Sequence, residues 1–194
     1  MGHREDLLAA ARHLLRTKGY AHITARDLVA ESGTNLASIG YHFGSKAGLL
    51  NEAIGEAVDE WTEQLVRVAM ADPAASPAER GHSAWSAMLD GLAGEHEFVV
   101  SYLEALAQAE RTPALREQFA AQYRRCRERV SELVARSLGT EPGDPEARAV
   151  ASFVIAVCDG LAVQWVLDPE GAPTGDDLRA GVTAVWGPSH HSER

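Results

Sequence analysis

The 194-residue sequence predicts an all-α fold with about nine helices. Apolar residues recur at helical spacing, as Leu7, Leu8, Ala11, Leu14 and Leu15 do, and no segment alternates apolar and polar residues as a half-buried strand would. Breaks that contain Gly or Pro separate these periodic segments. The helices are predicted at about 3–18, 25–32, 36–42, 45–71, 77–93, 95–110, 112–138, 145–167 and 176–186.

Residues 24–43 have the pattern of a helix-turn-helix. Thr24 is a good N-cap for a first short helix, because its hydroxyl can accept a hydrogen bond from a free amide of the first turn. Gly33 can end that helix in a left-handed conformation, and Thr34 or Asn35 can cap the next one. The second helix of such a motif enters the major groove of DNA, so this segment predicts DNA binding.

The net charge of −10 is distributed unevenly along the chain. Residues 1–50 contain six Lys or Arg and four Asp or Glu, a net charge of +2, so the remaining residues carry −12. A locally basic segment on an acidic body can bind a duplex over a small footprint, with an affinity that falls steeply as salt rises. Apolar residues make up 45% of the chain, which indicates a globular protein and not a disordered one.

Residues 4–60 contain a series of short motifs in and around the helix-turn-helix. They are Leu14-Leu15, Lys18-Gly19-Tyr20, Thr24, Asp27-Leu28, Ala30, Gly33, Ser38, Tyr41-His42-Phe43, Ser45-Lys46 and Leu49-Leu50. With these residues the chain resembles the TetR (AcrR-like) family of bacterial transcriptional regulators. Beyond residue 60 the resemblance is weak, although Asp159-Gly160-Leu161-Ala162 also looks like a late helix of family members.

The resemblance implies two domains. Residues 1–48 are expected to form a three-helix helix-turn-helix DNA-binding domain, with the recognition motif at about 24–43. Residues 49–187 are expected to form a helical ligand-binding and dimerisation domain, and residues 188–194 a disordered tail.

The second helix of the motif is expected to carry the groove-facing surface. Ser38 can hydrogen-bond a base edge or a phosphate, and Leu36 can touch a thymine methyl or belong to the core instead. Gly40 departs from the family, in which an aromatic ring commonly stands there. The resemblance implies a phosphate contact for Tyr41, and Lys46 lies in the first turn of a helix, where amides and charge act together on a phosphate. The expected DNA-binding residues are Thr24, Arg26, Asn35, Leu36, Ala37, Ser38, Gly40, Tyr41, His42 and Lys46.

The body of the protein is expected to enclose a cavity for an unknown small-molecule effector, as the resemblance implies. Asp159 interrupts an otherwise apolar helix and would orient a ligand if it is buried. The expected ligand-binding residues are Trp85, Met88, Phe98, Tyr102, Tyr123, Asp159 and Trp165, with Glu104, Gln122 and Gln164 as further polar candidates.

The eighth predicted helix is apolar on more than one face, so it needs packing partners on both sides. The resemblance supplies one of these partners, because in the family the last two helices pair with their copies. A homodimer through about 145–167 and 176–186 is therefore expected.

Several classes of protein are disfavoured by what the sequence lacks. The His residues have no metal-ligand spacing, and there is no glycine-rich phosphate loop and no nucleophile elbow, so no catalytic residue, metal or cofactor is predicted. The charged first 15 residues do not resemble a signal peptide. The apolar stretch 149–167 is interpreted as a buried helix and not as a membrane span, and Cys126 and Cys158 as reduced core thiols.

The sequence thus predicts a cytoplasmic, ligand-responsive, DNA-binding transcriptional regulator, a repressor that a small molecule releases from its double-stranded DNA operator. Two alternatives remain open at this point. One is a helical interaction module that does not bind DNA in a sequence-specific way, and the other is an enzyme.

Overall fold

The computed structural model describes residues 2–186, so the predicted tail at 188–194 lies outside the described residues. The described part of the chain consists of helices, with no strand, and it confirms the predicted all-α fold. The elements are α1 (His3–Thr17), a 3₁₀ turn (Tyr20–His22), α2 (Ala25–Ser32), α3 (Leu36–Phe43), α4 (Lys46–Ala69), α5 (Pro77–Ala93), α6 (His96–Ala109), α7 (Pro113–Leu138), α8 (Pro145–Leu167) and α9 (Gly175–Trp186).

The helix bounds agree closely with those predicted, with two differences. The first is a 3₁₀ turn, Tyr20–His22, that was not predicted between α1 and α2. It follows Gly19, whose φ of +79° redirects the chain after α1. The fourth helix ends at Ala69 and not near residue 71. After Met70 the backbone tightens, because the Ala71 N–H donates to the Val68 carbonyl, and Pro73 has no N–H with which to continue the helix.

The described chain forms two compact units. Unit 1 contains residues 2–63 and 94–130, and unit 2 contains residues 64–93 and the residues from 131 onward. The predicted boundary at residue 48 between a DNA-binding and a ligand-binding domain is a functional division and stays a prediction.

The core of unit 1 is apolar and is built around α1. This helix packs against α2, α3 and α6, and its Leu7 and Leu15 are fully buried. Leu28 from α2 and Leu50 from α4 are also fully buried in the same cluster. Each such leucine contributes about 1.5–3 kcal/mol by leaving water, so the packing of α1 determines where the helix-turn-helix sits in unit 1.

A buried polar network also ties the 3₁₀ turn to the rest of unit 1. The hydroxyl of Ser101, which is fully buried, accepts from the backbone N–H of Tyr20 at 3.0 Å and donates to the carbonyl of Leu15 at 3.0 Å. The Tyr20 hydroxyl donates to the Asn51 side-chain oxygen at 3.0 Å. Burial, opposed by the hydrogen bond to Asn51, raises the pKa of Tyr20. These bonds connect α1, α4 and α6 to the entry of the helix-turn-helix.

In unit 2, α5 packs against both α8 and α9. Trp85 and Met88 of α5 are buried, and so is Ile155 of α8. The start of α9 lies against Ser86, and a Cβ on Gly175 would collide with that side chain. The close approach of α9 to α5 therefore requires glycine at this position.

The expectation that α8 is a buried helix is wrong for the single chain. The helix is long and apolar enough to cross a membrane by length and composition alone, which is weak evidence, but only 22% of its most apolar stretch is buried. Phe153, Val163 and Leu167 are 40, 41 and 79% exposed. The sequence pattern identified the apolar residues correctly, and the exposed ones form the surface through which a dimer was predicted.

Candidate nucleic-acid interface

Helix α2 begins with reciprocal hydrogen bonds between Thr24 and Asp27. The Thr24 hydroxyl accepts from the Asp27 backbone N–H at 3.2 Å, and the Asp27 carboxylate accepts from the Thr24 backbone N–H at 2.7 Å. Lys18 donates to the same carboxylate at 2.6 Å and, with Thr24, lowers the pKa of Asp27 well below its usual range. The cap stabilises α2 because it satisfies amides that the helix leaves unpaired.

Replacing Thr24 with Ala is expected to lower the free energy of unfolding by about 1 kcal/mol, because the cap on the Asp27 amide is lost. Urea denaturation monitored by circular dichroism measures this change. Thr183→Ala is the control, since the exposed Thr183 hydroxyl donates only to the Arg179 carbonyl within α9. Equal stabilities of the two variants would show that the cap contributes nothing.

Helix α3 follows a short turn that local signals specify. Gly33 ends α2 with a φ of +66°, a left-handed conformation that favours glycine. Of the two predicted caps of α3, Asn35 is the one used, and its side-chain oxygen accepts from the Ser38 backbone N–H at 3.1 Å. The predicted sequence of helix, turn and helix is therefore present, with α3 in the position of the recognition helix.

Most of the predicted groove-facing residues lie on the exposed side of α3. Leu36 is 55% exposed, so the alternative in which it joins the core is wrong. Ser38 and Ile39 are the two buried residues of α3 and mark its inward side. Since each residue advances about 100° round a helix, Leu36 points more than a quarter turn away from that side. Tyr41 is 85% exposed, and Ala37 and Gly40 lie on the same side. His42 is also exposed, but it follows Ser38 and Ile39 by about one turn and owes its exposure to its place at the end of the helix.

Ser38 was predicted to face the groove, and the structure places it inside instead. It is 8% exposed, and its hydroxyl donates to the Asn35 side-chain oxygen at 3.3 Å and lies 3.3 Å from His3 Nδ1. Ser38 therefore stabilises the start of α3 and its packing in unit 1. In this structure it does not present its hydroxyl on the exposed face of the helix.

The positive charges of the first 50 residues fall into two groups. Two cations, Arg26 in the first turn of α2 and Lys46 in the first turn of α4, make no ion pair among the described residues. Lys46 donates to the Ile23 carbonyl at 2.6 Å, which leaves two of its three ammonium protons for another acceptor. The other four cations are bound by carboxylates, in the pairs Arg4–Glu52, Arg12–Glu60, Arg16–Glu95 and Lys18–Asp27.

The predicted ligand-binding residues are divided between the two units. Trp85, Met88, Asp159 and Trp165 belong to unit 2, where Trp85 and Met88 are buried and the other two are half-buried. The indole N–H of Trp85 has no hydrogen-bond partner within residues 2–186.

In unit 1, the ring of Phe98 lies 5.3 Å from the Arg16 guanidinium, and the hydroxyls of Tyr102 and Tyr123 are 3.0 Å apart. Of the further polar candidates, Glu104 accepts from the backbone N–H of Ala21 at 3.1 Å. Gln164 is exposed, and its side chain donates to a backbone carbonyl of its own helix.

Unit 1 contains a cleft between α4 and α7 with a volume of about 270 Å³. Gln122, one of the predicted polar candidates, lines it, but the other lining residues were missed. A signal was present in the sequence, because Glu52, Glu56 and Asp59 have the spacing of one helix face. Only the structure shows that α7 adds the ring of Phe119 to that face.

Comparisons with known proteins agree with this architecture. Residues 7–53, which contain the helix-turn-helix, match the bacterial regulatory proteins of the tetR family, and residues 77–185 match the C-terminal domain of BetI-type transcriptional repressors. The chain belongs to the TetR family and is a ligand-responsive, DNA-binding transcriptional regulator.

Individual relatives are similar over nearly the whole chain. The nicotine-responsive transcriptional repressor HdnoR of Paenarthrobacter nicotinovorans is 22% identical over 175 residues, which are 90% of this chain and 89% of the relative. The multidrug binding protein EbrR, solved with imidazole, is 28% identical with a TM-score of 0.68, covering 95% of this chain and 94% of the other. The transcriptional regulator SCO7518 of Streptomyces coelicolor is 25% identical with a TM-score of 0.64, covering 94 and 96%.

Proposed function

We propose that the protein is a homodimeric repressor that binds its operator through the exposed side of α3 together with Arg26 and Lys46. The observation that carries this proposal is the distribution of charge. Four of the six cations in residues 1–50 are bound by carboxylates. Arg26 and Lys46 have no acidic partner in the part of the chain that the structure describes, and they lie in the first turns of α2 and α4. Helix N-termini and unpaired cations both attract phosphate, so each position favours a contact with the DNA backbone.

Base recognition is assigned to the exposed residues of α3. Leu36 and Ala37 offer apolar contacts to thymine methyl groups, and Tyr41 offers a phenolic hydroxyl to a phosphate. Gly40 has no neighbour within 4 Å of the position that a Cβ would occupy, so α3 can approach the duplex closely there. Thr24, Asn35 and His42 are exposed and complete the proposed contact set.

The repressor is proposed to act in the cytoplasm as a dimer formed through α8 and α9. Two recognition helices must lie about one helical turn of DNA apart to enter successive major grooves. A small molecule that binds better to a conformation with another spacing shifts the equilibrium away from DNA, by as much as its affinities for the two conformations differ. HdnoR is named as a nicotine-responsive repressor and EbrR was solved with proflavin and with imidazole, which supports an organic effector for this chain as well.

Replacing Lys46 with Ala is expected to weaken binding to every DNA sequence to a similar extent and to reduce the slope of log affinity against log salt by about one, because one phosphate contact is lost. The measurement is fluorescence anisotropy over a salt series, with the DNA immediately upstream of the protein's own coding region and with unrelated DNA.

Lys18→Ala is the matched control, since it also removes one charge from the same unit but from a lysine that Asp27 already binds. An unchanged slope for a folded Lys46→Ala protein would remove Lys46 from the contacts. Equal binding of wild-type protein to both DNAs at all salt concentrations would instead support a module without sequence-specific recognition.

A further inference from the structure

The cleft between α4 and α7 in unit 1 has an acidic side and an apolar side. Glu52, Glu56 and Asp59 line it from α4, and the apolar Leu115 and Phe119 line it from α7. Three polar residues of α7 line it as well, Gln118, Gln122 and Arg125. Arg125 holds Asp59 at 2.9 Å and Arg4 holds Glu52. Glu56 has no hydrogen bond or ion pair among the described residues, and its charge interacts with Arg12 only at longer range. One carboxylate is therefore available in a cleft that also offers an aromatic ring.

Gln122 indicates that the cleft is built for a ligand. Its side chain lines the cleft, is only 5% exposed, and makes no hydrogen bond within the described part of the chain. The amide faces the open cleft, where water can pair with it, so a ligand that displaces this water must offer a polar group in its place. The volume of about 270 Å³ lies near the lower end of the range for small-molecule sites.

Two contacts connect this cleft to the DNA-binding helices. Asn51 lines the cleft and accepts the hydroxyl hydrogen bond of Tyr20, at the entry of the helix-turn-helix. Glu52 lines the cleft and binds Arg4 of α1, whose guanidinium lies 5.7 Å from the ring of Phe43, the last residue of α3. The position of Arg4 thus depends on Glu52, and Arg4 contacts the end of the recognition helix.

We propose that this cleft is an effector site for a small organic cation with an aromatic body, and that the cation regulates DNA binding by competing with Arg4 for Glu52. Glu56 supplies the charge that attracts the cation, Gln122 hydrogen-bonds a polar group on it, and Phe119 contacts its aromatic body. When Glu52 turns to the cation, Arg4 loses its anchor and its contact with Phe43, and the end of α3 is released. This inference rests on the proposed repressor function.

The test uses the full-length protein with proflavin, an aromatic cation, and with acridine, which has the same three rings and is largely neutral at mildly basic pH. Fluorescence titration measures the affinity for each compound, and anisotropy with labelled upstream DNA measures release. We expect wild-type protein to bind proflavin about tenfold more tightly than acridine, since a carboxylate in a partly desolvated cleft favours the charged compound. Proflavin but not acridine is expected to release the DNA.

The variants separate the parts of the proposal. Glu56→Gln is expected to lower the affinity for proflavin about tenfold and to leave the affinity for acridine unchanged. Gln122→Leu is expected to lower the affinity for proflavin several-fold. Arg4→Met is expected to raise the affinity for proflavin several-fold, because Glu52 is then free to bind the cation. The same variant is expected to bind DNA more weakly even when no ligand is present. Glu128→Gln is the matched control, an exposed carboxylate on α7 outside the cleft, and is expected to change neither affinity.

The outcomes distinguish the cleft from the repressor function. If proflavin binds and releases DNA equally well in wild type, Glu56→Gln and Gln122→Leu, the cleft proposal is wrong while the repressor function stands. If proflavin binds no better than acridine, the cationic class is wrong. If Arg4→Met does not tighten proflavin, competition for Glu52 is wrong. If wild-type protein does not bind its upstream DNA, the proposed function fails, and the titrations still decide whether the cleft binds a cation.

Discussion

Replacing Val163 with Glu is expected to convert the protein into a monomer and to lower operator affinity about 100-fold or more. Val163 is 41% exposed and lies on an apolar stripe of α8 with Phe153 and Leu167. Covering this stripe by a second copy removes water from several large side chains, which stabilises a dimer. A glutamate at the centre of that surface would be a buried charge without a partner, and its desolvation opposes association strongly.

The loss of DNA binding follows from the loss of the second half-site. In a dimer, the second recognition helix binds as an intramolecular step, and this can raise the overall affinity by factors of about 10²–10⁴ over that of one subunit. A monomer forfeits that factor even when each helix-turn-helix is intact. The thermal stability of the monomeric unit is expected to change little, because Val163 does not belong to the buried core.

Sedimentation velocity measures the state of association, and anisotropy with operator DNA measures affinity. Gln108→Glu is the control, because it also places a new negative charge on an exposed position of a helix, in α6. The control is expected to remain dimeric and to bind DNA as wild type does. A dimeric Val163→Glu protein would show that the interface does not include this stripe of α8.

The sequence was sufficient for the helices because their ends depend on local chemistry. Gly33 takes a positive φ, Asn35 caps α3, and the Ser45 hydroxyl accepts from the Gly48 backbone N–H at 3.0 Å. Asp144 likewise accepts from two amides of the first turn of α8. Each of these signals acts within about one helical turn, so it can be recognised without knowledge of the tertiary structure.

Features that depend on distant pairs could not be predicted in this way. Arg4 binds Glu52 and Arg12 binds Glu60, each across 48 residues, and neither pair has a local sequence signal. These pairs nevertheless decide which cations stay available, and thereby separate Lys46 from the bound arginines. The cleft was missed for the same reason, because its two sides come from α4 and α7.

The sequence also does not determine which protein chain covers an apolar helix face. The apolar residues of α8 have the same pattern whether this chain or a second copy covers them, so the expectation of a buried helix was wrong for the single chain. Cys126 and Cys158 were similarly expected in the core, and both are half-buried. The Thr62 hydroxyl lies 3.7 Å from the Cys126 sulfur, which gives that thiol a polar neighbour.

Replacing Ser101 with Ala is expected to lower the free energy of unfolding by about 2–4 kcal/mol, far more than the loss of one hydroxyl usually costs. Ser101 is fully buried, and its oxygen serves two backbone groups, the N–H of Tyr20 and the carbonyl of Leu15. Alanine removes both partners at once and adds nothing in their place. Each buried group left unpaired costs about 1–3 kcal/mol, because it has lost its water and gained no other bond.

The effect should also reach the DNA-binding surface, since Tyr20 begins the 3₁₀ turn that leads into α2. Hydrogen exchange of the Tyr20 amide is expected to accelerate in Ser101→Ala even under conditions in which the protein remains folded. Ser152→Ala is the control, because the exposed Ser152 hydroxyl donates only to the Arg148 carbonyl on α8, and its removal should change stability by less than about 0.5 kcal/mol. If urea denaturation gives the two variants the same stability, the Ser101 network does not hold the helix-turn-helix in place, and the apolar packing of α1 must do so alone.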